Sequence, residues 1–110
     1  MKVKIGQEII SDKEYKIESI SGRQISVKVG DKAVVRGDGF IEYTTGEAKG
    51  VMSNVFSFDL EMEGYDYQNI SKLILKRLDC VFGLENFLRE EDIEYKEFLD
   101  EIEDVLSDIL

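Results

Sequence analysis

The hydrophobic period of this chain changes once, close to Gly64. Before that point apolar residues recur at every second position; after it they recur about every 3.6. Ile25, Val27 and Val29 alternate with Ser26 and Lys28, and Phe56, Phe58, Leu60 and Met62 alternate with Ser57, Asp59 and Glu61. Each set fits a half-buried strand, the second most clearly. Val3 and Ile5, then Tyr15 and Ile17, alternate with charged neighbours in the same way. Ser21-Gly22, Gly30-Asp31 and Gly37-Asp38-Gly39 supply turns, and Thr44 to Gly50 reads as a polar loop. Short strands at roughly ten-residue spacing predict an antiparallel meander of about five to six strands, an open sheet or a small barrel.

Beyond Gly64 the residues Ile70, Ile74, Leu78, Val81 and Leu84 form one helical stripe, with Asp66 or Asn69 as its cap. Gly83 ends this helix or weakens it, and Phe87 and Leu88 form a link or an extension. A second helix is expected to start between residues 90 and 92 and to run to the end. The expected fold class is α+β: one domain over 1–110, a β part at 1–63 and two antiparallel helices over 66–110 packed on the sheet. Phe56, Phe58, Leu60 and Ile74 are the expected core between sheet and first helix.

The second helix carries the chain's strongest functional signal. Glu90, Glu94, Glu97, Glu101, Asp104 and Asp108 follow 4,3,4,3,4 spacing, which sets all six within roughly 40° of one line on a helix. Tyr95, Leu99, Ile102, Leu106 and Ile109 form an apolar seam on the other side. Like charges at such spacing cost roughly 0.2–0.5 kcal/mol per pair. Anions near a helix C-terminus oppose the macrodipole as well. Residues 90–108 hold ten acids and one lysine, net −9. Over roughly 27 Å that is about one charge per 3 Å, close to a single DNA strand at roughly 3.4 Å. A solvated outer face and a cation-binding face are the competing readings. Tyr65-Asp66-Tyr67, an acid between aromatics, is the second candidate contact, since tyrosine is favoured in binding hot spots; the alternative is that these rings cover the end of a core.

Charge narrows the partner. The chain has 14 basic and 24 acidic residues, net −10, and residues 66–110 account for −8 of it. Direct nucleic-acid binding and an anionic membrane surface both require cationic contacts and are disfavoured. No apolar run reaches membrane-spanning length, and the first residues lack the apolar segment of a signal peptide. With a single cysteine, Cys80, the expectation is a cytoplasmic protein in a reducing compartment.

Histidine is absent, which removes the usual general base and the commonest transition-metal ligand. Cys80 sits at the edge of the first helical stripe and is expected to pack there rather than act as a nucleophile. Arg36-Gly37-Asp38 is read as a hairpin turn, and Asn69-Ile70-Ser71 as a sequon without a secretion signal. No glycine pattern cradles phosphate and no loop matches a calcium site, so no cofactor, metal or catalytic residue is assigned.

These observations lead to a non-enzymatic acidic protein that inhibits or neutralises a basic protein target. A nucleic-acid-binding enzyme is the target class that fits best. Phage anti-defence proteins that mimic DNA, anti-CRISPR proteins among them, and immunity proteins for nuclease toxins share this profile of size and charge, though no motif. The alternatives are an assembly module forming homo-oligomers through the β part, or a small-ligand-binding protein.

Overall fold

Along residues 24–27 the chain alternates exposed Gln24, buried Ile25, half-buried Ser26 and buried Val27. Residues 32–35 and 40–43 repeat the pattern, burying Ala33, Val35, Ile41 and Tyr43. The computed structural model describes the backbone of residues 1–110 and every side chain except that of Phe56. It places these residues in an α+β chain of two compact units, Met1–Tyr65 and Asp66–Leu110.

In the first unit the strands are β1 (Lys2–Ile5), β2 (Glu8–Ile10), β3 (Tyr15–Glu18), β4 (Gln24–Val27), β5 (Lys32–Val35), β6 (Phe40–Tyr43), β7 (Met52–Asn54) and β8 (Glu61–Tyr65). β2, β5, β6 and β7 form one antiparallel sheet in the order β2-β5-β6-β7, and β3 and β4 form a hairpin. The turns fall where the sequence placed them. Gly22 takes φ +82° between β3 and β4, and Gly39 takes φ +91° between β5 and β6. Arg36-Gly37-Asp38 lies in the second of these turns, where the Arg36 guanidinium meets Asp38 at 2.8 Å and Glu42 at 3.1 Å. Gly46 takes φ +75°, and a Cβ there would lie 2.6 Å from Asp31 Oδ2, which accepts from the Lys28 amide, so a larger residue would be strained and would displace that carboxylate. The loop 44–50 is therefore pinned against the β4–β5 turn, and Ala48 within it is fully buried.

Three expectations for this unit are corrected. There are eight strands, not five or six, and β1 pairs with β8 in parallel, Lys2 opposite Glu61 and Val3 opposite Met62. An antiparallel meander has no such pair; bringing the two ends of the unit together makes it. The segment 56–62 is not one strand. Val55–Phe58 is a turn of 3-10 helix, Asp59 takes the left-handed conformation at φ +54°, and the Leu60 amide donates to the Val55 carbonyl at 3.2 Å. Aspartate tolerates that conformation better than most residues. The core is displaced as well. Phe58 and Leu60 are half-buried, and the Phe56 side chain lies outside those described. Val3, Ile25, Val27, Ala33, Val35, Ile41, Tyr43, Ala48 and Val55 form the core cluster. Val29 is exposed.

The second unit holds α1 (Tyr67–Phe82), α2 (Leu84–Glu90) and α3 (Tyr95–Ile109), three helices where two were expected. Asp66 caps α1, its carboxylate accepting from the Asn69 amide at 3.0 Å. Gly83 ends α1 in the left-handed conformation at φ +66°. Asp79 then accepts from the Glu85 amide at 2.9 Å and satisfies a free donor at the start of α2. α1 packs on α3. The Tyr67 hydroxyl donates to the Leu110 carbonyl at 2.9 Å, so the start of α1 lies beside the end of α3 and the two run antiparallel. Leu75, Leu88 and Leu99 are the buried apolar residues here. Ser71 is buried beside Leu75 and donates to the Tyr67 carbonyl at 2.7 Å. Three placements differ from the sequence reading: Ile74 and Val81 of the expected stripe are 36% and 60% exposed, and Cys80 is exposed rather than packed.

Candidate functional site

The acidic row is shorter than its spacing implies. α2 ends at Glu90, Asp92 adopts φ +56°, and α3 begins at Tyr95. Across this break the Ile93 amide donates to the Leu88 carbonyl at 2.8 Å and the Asp92 amide to Arg89 at 3.3 Å. That pair of bonds is the Schellman closure of a helix end, with Asp92 in the place glycine usually takes. Glu90 therefore belongs to α2, and Glu94 is the residue that precedes α3, extended at φ −71°.

Four of the six acids remain aligned on one helix. Glu97, Glu101, Asp104 and Asp108 are all exposed on α3, in a row roughly 16 Å long. The apolar seam opposite includes buried Leu99 with half-buried Ile102 and Leu106, while Tyr95 and Ile109 at its ends are exposed. α3 carries six acids and one lysine, net −5. At about 1.5 Å rise per residue that is about one charge per 4–5 Å, sparser than a nucleic-acid strand. Glu97 in the first turn is favoured by the macrodipole, while Asp108 near the end has no basic residue in the last turn to offset it.

None of these four acids joins an ion pair among the described residues. All five ion pairs there lie within residues 1–65, joining Lys2, Arg23, Lys32 and Arg36 to nearby carboxylates. Tyr65 ends β8 in the first unit, and Tyr67 opens α1 in the second, half-buried with its hydroxyl on Leu110.

Val105 was not singled out in the sequence and is 54% exposed on α3 beside the acidic row. With Phe98, Ile102 and Ile109 it forms a second apolar strip whose signal is the spacing 98, 102, 105, 109.

In the β unit the Tyr15 and Tyr43 hydroxyls lie 2.8 Å apart, and the Tyr15 ring meets Phe58 with centroids 5.6 Å apart. Burial, then the bond to Tyr43, pushes the Tyr15 phenol above its ordinary value. That shift keeps the phenol neutral, the reverse of activation as a base or nucleophile. Among the described residues no three His, Cys, Asp or Glu side chains converge to hold a metal ion, and no helix is long and apolar enough to cross a membrane. No protein-family model, curated protein or solved structure matches the chain.

Proposed function

We propose that this chain is a non-enzymatic acidic protein that binds a basic protein and blocks it, with the exposed face of α3 as its contact surface. One observation carries the reading: Glu97, Glu101, Asp104 and Asp108 stand in a row on one helix, exposed and without ion-pair partners among the described residues. Their mutual repulsion, a few tenths of a kcal/mol per neighbouring pair, is returned when a cationic site meets them. A groove lined with Lys and Arg that normally takes a phosphate backbone is such a site, so a nucleic-acid-binding enzyme is the proposed target class. Phage anti-defence proteins of the DNA-mimic or anti-CRISPR kind and toxin-immunity proteins share this profile of size and charge. The remote field of the row would speed encounter, and salt would weaken it. The test recovers the protein that binds the tagged full chain in its native cell. It then measures association of that protein with the wild type and with Glu97→Gln, Glu101→Gln, Asp104→Asn, Asp108→Asn combined. Slower association and a flatter salt dependence support the reading; unchanged binding by a folded variant overturns it.

A further inference from the structure

The helical unit leaves many of its large apolar side chains exposed. Among the described residues, 66–110 holds three of the twelve buried apolar residues but ten of the 17 exposed large ones. Four of the ten, Ile74, Val81, Val105 and Ile109, share one face of the α1–α3 pair, with half-buried Ile70 and Phe98 beside them. Taking buried Leu75 as the direction in which α1 faces α3, Ile70, Ile74 and Val81 fall roughly 100–140° to one rotational side. Taking Leu99 likewise on α3, Phe98, Val105 and Ile109 fall roughly 80–120° to the same rotational side. The helices run antiparallel, as the Tyr67–Leu110 bond requires. Equal rotations about opposed axes bring both strips to one face of the pair. Val81 is 60%, Val105 54% and Ile109 74% exposed on that face.

We propose that a second copy of this chain covers the face. A two-fold axis parallel to the helices would set α1 of each copy over α3 of the other, making a four-helix bundle. Charge selects this arrangement. Arg77 borders the α1 strip on its outer edge and Glu101 borders the α3 strip on its outer edge, each roughly 160° from the buried line. Both are exposed, and neither joins an ion pair among the described residues. Measured from the Tyr67–Leu110 end, Arg77 lies roughly 15 Å and Glu101 roughly 14 Å along the pair. An axis parallel to the helices preserves these heights, so Arg77 of one copy meets Glu101 of the other. The alternative stacking, α1 on α1 and α3 on α3, opposes like charges at both edges. The inference does not depend on the proposed target: of the four-acid row the pairing engages Glu101 alone, and Glu97, Asp104 and Asp108 lie off this face.

Sedimentation of the full chain across the micromolar range tests it. The expected result is a concentration-dependent mass of twice 12.6 kDa. Val105→Glu should abolish the doubled mass. Arg77→Glu and Glu101→Arg should each reduce it, and the two together should restore it. Circular dichroism checks that each variant is folded; the charge variants sit at exposed positions and keep the test decisive should Val105→Glu unfold. A monomer at every concentration overturns the inference. So does a dimer indifferent to these changes, or a double charge swap that fails to restore it.

Discussion

The Ile93 amide reaches back to the Leu88 carbonyl at 2.8 Å and closes α2 over Asp92. Leu88 and Ile93 line the same crevice and hold the two positions whose apolar side chains accompany such closures. The order of substitutions at Asp92 follows. The left-handed conformation favours glycine and penalises β-branching, whereas in a helix interior glycine is the less favourable of the two. Asp92→Val should cost about 1–2 kcal/mol and Asp92→Gly clearly less. Urea melts of the two variants measure the order; valine tolerated better than glycine would mean a continuous helix through residue 92.

The core of the β unit is built on Val3, Ala48, Val55 and the inward residues of β4, β5 and β6, with Phe58, Leu60 and Met62 packed against it half-buried. Ile41 is 3% exposed within the cluster, and Ile41→Ala should cost about 2–5 kcal/mol. Phe58, half-buried against Tyr15, should cost less when cut to Ala despite its larger side chain. Comparing the two denaturation midpoints decides where the core is.

Alkaline pH should weaken the β unit through Tyr15. Its phenol is raised in the fold, by burial first and by the Tyr43 bond second. The unfolded chain therefore loses this proton at lower pH than the folded one. The contribution is fully present below about 10, the ordinary phenol value, and is lost as pH rises through the higher folded value. Tyr15→Phe should flatten the alkaline fall in stability, measured by melts on either side of that pH. An unchanged slope would assign the fall to other groups.

Neutralising Glu97, Glu101, Asp104 and Asp108 together should leave the fold intact. Removing i,i+3 and i,i+4 repulsion contributes roughly 0.2–0.5 kcal/mol per pair, so the thermal midpoint should hold or rise slightly. A marked fall would mean that these side chains support the fold.

What a residue's own chemistry and its near neighbours dictate was legible in the sequence: the alternation that buries Ile25 and Val27, the turns at Gly22 and Gly39, the Asp66 cap, the Gly83 stop and the seam through Leu99. Such signals act over a few positions, and each is a property of the chain in its vicinity. Tertiary structure, and two turn closures that no periodicity records, decided the rest. The parallel pairing of Val3 with Met62 joins residues far apart in the chain, and no periodicity records it. Asp59 and Asp92 entered the left-handed region at φ +54° and +56°, cutting an alternating run and a heptad run that looked continuous. Aspartate is compatible with either course. In a local pattern the helical or extended conformation wins; a carbonyl and an amide brought together across the turn tip the balance the other way.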